Sequence, residues 1–147
     1  MSGNKHTFAL SMHPASLESV LELPFVSTGI CAGFPSPAMD FIDLSIDLNR
    51  HLIRHPSSTF YGRVKGNSMR DAGIHDGDLL IIDKSLSPDD GRIAVCYIDG
   101  EFTLKRIRKD KDCCWLDPAN EAFQPIRVGE DNDFMIWGLV THVIKKF

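Results

Sequence analysis

From Thr59 onward the apolar positions come in short runs, rich in β-branched and aromatic residues and cut apart by turn-forming words. Thr59 to Lys65, Asp78 to Asp83, Arg92 to Asp99, Glu101 to Arg108 and Phe134 to Ile144 each predict a strand. Ser87-Pro88-Asp89-Asp90-Gly91 and Asp117-Pro118-Ala119-Asn120 predict loops, and Asp99-Gly100 between two strand runs predicts a two-residue hairpin. One helix stands out against this background. Asp47 is a plausible N-cap for a short helix through Arg54, with Leu48, Leu52 and Ile53 turned inward and Pro56 stopping it. The fold class expected is mainly β: a curled antiparallel domain with one short helix.

The first thirty-seven positions behave differently. They show no sustained period of 2 or 3.6, carry prolines, and end in Ala32-Gly33-Phe34-Pro35-Ser36-Pro37. Residues 1–37 are therefore expected to form a flexible, extended N-terminal arm, and residues 38–147 a β-rich domain. No basic start leads into an unbroken apolar core, since His13-Pro14, Glu18, Glu22 and Pro24 interrupt every candidate run. Nothing approaches the roughly 20 apolar residues of a membrane span. A cytoplasmic protein is expected.

Composition narrows the classes of function. With 147 residues and 43% hydrophobic, the chain suffices for one domain with a real core. A net charge of −4 argues against a protein built to neutralise nucleic-acid phosphates and favours a protein partner. Cys31, Cys96 and the adjacent pair Cys113-Cys114 fit neither an ordinary disulfide framework nor a C-x-x-C metal knuckle, and read as reduced thiols. His51 and His55 are four apart but lack a third ligand nearby, and Asp76, Asp78 and Asp83 lack the closing glutamate of a calcium loop. His75 reads as part of a turn, and Trp115 and Trp137 as core or dimer contacts. No metal or organic cofactor is expected.

The residues that could carry chemistry are Ser68 in Gly66-Asn67-Ser68-Met69 and Lys105 in Glu101-Phe102-Thr103-Leu104-Lys105-Arg106. A serine hydroxyl is a weak nucleophile until a base takes its proton, and lysine is a base only when neutral. At an ordinary pKa of about 10.4, on the order of one lysine in 2,500 is neutral at pH 7. Lowering it to about 7 to 8 requires roughly 3 to 5 kcal/mol against the charged form, which apolar burial can supply. Strand alternation puts Lys105 on the face of Thr103 and Ile107, which permits that burial. Gly66 allows a tight turn presenting Ser68, and main-chain amides around it, at Asn67 and Met69, are candidates to receive an oxyanion. On residue chemistry alone, Ser68 also reads as a turn serine and Lys105 as a structural lysine.

Taken together, these words resemble the LexA/UmuD family of self-cleaving Ser-Lys peptidases, in its UmuD branch. Gly33 stands 35 positions before Ser68 and Lys105 stands 37 after it, with His75-Asp76-Gly77-Asp78 between them. The resemblance runs from about Gly33 to Val143. It implies Ser68 as nucleophile, Lys105 as general base and Ala32-Gly33 as the bond cut, with stimulation by a RecA nucleoprotein filament. It also implies that the trimmed product forms a homodimer and joins a UmuC-like Y-family DNA polymerase in error-prone lesion bypass, part of the SOS response to DNA damage. Asn67 stands where the family commonly has aspartate, and Cys31 precedes the expected cut as a neighbouring contact.

Two other functions compete. A LexA-like repressor needs a DNA-reading domain before the cut, and only 32 residues precede Gly33, so direct specific DNA binding is not expected. A non-cleaving polymerase-accessory or dimerisation module would not need both Ser68 and Lys105. Signal peptidases use a related dyad but are normally held at a membrane. Cleavage within one subunit and across a dimer both stay open.

Overall fold

In a computed structural model of the chain, Asp99 and Gly100 have φ of 47° and 86°. Positive φ at both positions is what a type I′ turn demands, and it matches the twist of the strands it joins. Those strands are β6 (Ile93–Ile98) and β7 (Glu101–Lys109), antiparallel, with Ile98 opposite Glu101 and Ile93 opposite Arg106. The structure describes residues 11–15, 19–26, 30, 32–34 and 43–147. They divide into two units, Met1–Ala15 with Ser57–Phe147, and Ser16–Pro56.

In the larger unit the hairpin belongs to a sheet completed by β1 (Ser11–Pro14), β4 (Thr59–Arg63), β5 (Leu79–Asp83), β8 (Cys114–Asp117), β9 (Ile126–Val128) and β10 (Phe134–Ile144). Among the described residues this sheet has eight strands in the order β1-β4-β5-β10-β6-β7-β8-β9, every neighbouring pair antiparallel. The mainly β, antiparallel class expected from the sequence is the observed one. β10 lies between β5 and β6, which accounts for its length and its nearly continuous apolar run. Its register slips at Ile136/Gly138, and a Cβ on Gly138 would stand 2.7 Å from Ile82 Cγ2. Glycine is there because β10 passes so close to β5.

Two buried clusters form. Val64, Met69, Ile74, Leu80, Ile82, Val95 and Leu104 make one, and Ala94, Cys96, Ile107, Leu116 and Leu139 the other. Alternation along β6 sends Val95 to the first and Ala94 and Cys96 to the second, so the strands between them are buried on both faces. A lysine in the middle of β7, between Leu104 and Ile107, therefore lies among buried apolar neighbours, whereas Arg106, Arg108 and Lys109 on the same strand stay exposed.

The smaller unit pairs β2 (Glu22–Val26) with β3 (Asp43–Asp47) and continues into α1 (Leu48–Leu52). Both strands of a two-stranded ribbon are edges, which is why Pro24 is tolerated opposite Ser45. Asp47 caps α1 by accepting from the Asn49 N–H at 3.2 Å, as the sequence predicts. Two expectations need correcting. The helix stops at Leu52 rather than Arg54, and Leu48 is 53% exposed instead of inward. Five residues make little more than one turn, so no apolar stripe develops; the buried anchor is Ile53, already extended at the C-cap. The expected boundary after Pro37 lies outside the described residues, and β1 and β2 fall within the stretch read as an arm.

Candidate active site

The chain leaves β4 at Arg63 and is pinned at once. Val64 N–H donates to the Asp78 carbonyl and Gly77 N–H to the Val64 carbonyl, each at 2.8 Å. Gly66, at φ 96°, donates its N–H to Asp76 Oδ1 at 2.7 Å. The tight backbone that its position suggested is present. Beyond it Met69 is buried in the first cluster, which anchors the turn from below, and a single 3₁₀ turn at Arg70–Ala72 closes on Gly73. Ser68 is held between these fixtures and is 7% exposed.

Lys105 arrives from β7, in register with Ala94 of β6, a neighbour too small to displace it. It too is 7% exposed. Its Nζ donates to Ser68 Oγ at 3.2 Å, to Thr103 Oγ1 at 2.8 Å and to the Leu104 carbonyl at 3.1 Å. Burial lowers its pKa from 10.5 to about 8. The Cys96 thiol is itself pushed up to about 12, chiefly by burial, so it remains protonated and brings no charge to the site at neutral pH.

These three contacts suit both protonation states. An ammonium has three donors and three acceptors here; a neutral amine has two N–H bonds and a lone pair. Thr103 and the Leu104 carbonyl can hold the two N–H bonds, which turns the lone pair toward the hydroxyl of Ser68. Thr103 escaped the sequence reading as a functional residue, although its position two before Lys105 on a strand placed it on the same face. Asn120 was also missed, because it sits in a word read only as a turn. Its side chain donates to the Asn67 carbonyl at 2.9 Å, and the Ala119 N–H donates to the Ser68 carbonyl at 2.8 Å.

Ser68 and Lys105 open on a cleft of about 830 Å³. Ile98, Phe102, Phe123 and Ile126 supply apolar wall, while Asn67, Thr103 and Asn120 supply polar groups near the serine. Lys65, Arg70, Asp76 and Glu101 add charged groups of both signs to the lining, and an extended peptide suits such a cleft. Ala32 and Gly33 belong to the other unit, where they lie exposed on a bend; Cys31 lies outside the described residues.

The remaining candidates have local duties. Asp76 ties Gly66, Asp83 accepts from the Ser85 N–H at 2.8 Å, and Asp78 accepts from the His75 N–H at 2.8 Å and is ion-paired with Lys145. Burial pushes the Asp78 carboxyl up, but the Lys145 ammonium and the His75 N–H outweigh it and hold it below the usual carboxylate range. Among the described residues, no three His, Cys, Asp or Glu side chains are grouped to hold a metal ion.

Comparison with known proteins places this geometry in context. The Peptidase S24-like family matches residues 24–141. The chain is 44% identical to Protein MucA of Salmonella typhimurium over 124 residues, 84% of each chain. It is 42% identical to Protein SamA of Salmonella typhimurium strain LT2 over 115 residues, 78% of this chain and 79% of SamA. Similarity to the LexA repressor of Herminiimonas arsenicoxydans, 38% over 134 residues, takes in 90% of this chain but 59% of the repressor. No helix among the described residues is long and apolar enough to cross a membrane.

Proposed function

The chain belongs to the S24-like peptidase family, in its LexA/UmuD group, and from that premise we propose that it is a serine endopeptidase that cuts its own chain between Ala32 and Gly33. The observation that carries this reading is the 3.2 Å approach of Lys105 Nζ to Ser68 Oγ within a buried site. At a pKa of about 8, about a tenth of Lys105 is neutral at pH 7, against about 0.03% for an ordinary lysine. The gain in available base is roughly 300-fold.

In this reading neutral Lys105 takes the Ser68 proton as Oγ attacks the Ala32 carbonyl, and main-chain amides of the Ser68 turn receive the oxyanion. Collapse of the tetrahedral species breaks the Ala32–Gly33 bond, and the Lys105 ammonium returns its proton to the departing Gly33 amine. The Ala32 ester on Ser68 is then hydrolysed by a water that Lys105 deprotonates. The products are Met1 to Ala32 and Gly33 to Phe147. The 35 positions between Gly33 and Ser68 include β3, α1 and β4, so the linkage between cut and nucleophile is partly folded, and cutting within one subunit and cutting across a dimer mate both fit this reading. Docking an arm costs conformational entropy, so the resting reaction is slow and an activator that stabilises the docked arm accelerates it.

Family membership and the similarity to MucA and SamA support the wider assignment. The protein is a cytoplasmic regulator of SOS mutagenesis whose cleavage a RecA nucleoprotein filament stimulates. Its processed form is a homodimer that serves a UmuC-like Y-family polymerase in translesion synthesis. The test is intact-mass analysis of wild type, Ser68→Ala and Lys105→Ala, incubated with RecA filament and separately across rising pH. Loss of Met1 to Ala32 from wild type alone is the expected result. An intact wild-type chain under both conditions leaves a non-cleaving accessory module, and cleavage that survives in Ser68→Ala defeats the mechanism.

A further inference from the structure

We infer that Asn120, together with the main-chain amide of Ala119, orients the two peptide planes that present the oxyanion-binding amides at Ser68, making Asn120 a positioning residue for the cleavage. The inference rests on the peptidase reading above but on different atoms. A trans peptide is planar, with its N–H antiparallel to its C=O. Whatever grips the Asn67 carbonyl therefore aims the Ser68 N–H, and whatever grips the Ser68 carbonyl aims the Met69 N–H. The first carbonyl accepts from Asn120 Nδ2 at 2.9 Å, and the second from the Ala119 N–H at 2.8 Å. Two consecutive residues of one loop thus hold two consecutive peptide planes of another.

The turn's own hydrogen bonds do not do this work alone. The Arg70 N–H reaches the Asn67 carbonyl at 3.2 Å, the longer of its two contacts, while the Ser68 and Met69 amides donate to no main-chain carbonyl of the turn among the described residues. The loop is itself anchored, since the Asp71 N–H donates to the Ala119 carbonyl at 2.7 Å. Pro118 adds a fixed φ just before it.

Residue chemistry explains why asparagine stands here. Its Oδ1 accepts from the Ala122 N–H at 2.9 Å, and only the oxygen of the amide can do so. That fixes the flip of the side chain and turns Nδ2, a donor, toward the Asn67 carbonyl. Asn120 is 9% exposed, so water is a poor substitute for either contact. Aspartate would keep the Ala122 contact but set a carboxylate against the Asn67 carbonyl; alanine would lose both.

The experiment measures self-cleavage of the full chain across pH for wild type, Asn120→Ala and Asn120→Asp, with and without RecA filament, and the melting temperature of each. Misaimed oxyanion donors slow reactions by about 10- to 100-fold, and that fall is expected in the high-pH plateau of both variants. The pH midpoint of Asn120→Ala is expected to stay at the wild-type value, because the surroundings of Lys105 are untouched. Both variants are expected to be folded at the assay temperature. A role limited to bracing the Ala122 turn would spare Asn120→Asp, so a wild-type rate in that variant overturns the inference. So does a rate in Asn120→Ala within about threefold of wild type, or a loss of rate that merely tracks unfolding. A wild-type chain that never cleaves defeats the peptidase reading and this inference together, whereas an active wild type with unimpaired variants defeats only the inference.

Discussion

Replacing Lys105 by methionine is expected to change how stability depends on pH, in a direction opposite to that of a lysine held by a salt bridge. In the folded chain burial lowers the Lys105 pKa to about 8, while the unfolded chain keeps it near 10.5. Between those values the unfolded state holds a proton that the folded state has released. Unfolding free energy then rises with pH, by roughly 1.4 kcal/mol per pH unit contributed by this residue. Over the whole window the gain is about 3 kcal/mol. Below pH 8 the folded state bears the full penalty of a buried ammonium, and above pH 10.5 it bears none. Methionine fills similar volume without titrating. Urea denaturation of Ser68→Ala and of Ser68→Ala/Lys105→Met, at intervals from pH 6.5 to 10.5, isolates the effect without self-cleavage, and the lost contacts to Thr103 and Leu104 offset the curves by a nearly constant amount. The lysine-bearing protein is expected to gain on its methionine counterpart by about 3 kcal/mol across the range. A difference that stays flat, or shrinks as pH rises, would show that Lys105 is not a destabilised cation and would remove the physical basis for its acting as a base near neutrality.

Three further perturbations follow from particular contacts. Thr103→Val removes the oxygen 2.8 Å from Lys105 Nζ at nearly constant volume; self-cleavage followed by intact mass is expected to slow by about 10-fold as the amine loses one of its two anchors, with little change in melting temperature. Gly138→Ala forces a Cβ to 2.7 Å from Ile82 Cγ2, where β10 crosses a fully buried β-branched side chain, and is expected to cost about 1 to 3 kcal/mol by chemical denaturation. Asp78 has a carboxyl below its ordinary 3.8, so its pairing with Lys145 stabilises the fold above that pH and is lost as pH falls through the folded-state value; Asp78→Asn is expected to lower stability at pH 7 and to flatten the acid limb of a pH–stability curve.

What could be read along the chain was whatever depends on near neighbours. β4, β5, β6, β7 and β10 were visible as runs of β-branched residues between turn words, and the Asp99-Gly100 hairpin followed from the φ angles those two residues accept. The Asp47 cap was equally local. β8 and β9 were too short to show a period, and β2 was hidden by a proline that only an edge position excuses. The exposure of Leu48 turned on how far a helix of one turn extends, which its apolar residues do not state. The site divides in the same way. The residue types at Ser68 and Lys105, and their spacing, are properties of the sequence and suffice to name a candidate chemistry. Their 3.2 Å contact across 37 positions, the burial that brings Lys105 to about 8, and the recruitment of Asn120 exist only once distant segments pack together, whereas Thr103, two positions before Lys105, is a local neighbour. Desolvation and the aiming of a peptide plane depend on what surrounds a group in space, and a strand's neighbours are chosen by the whole sheet.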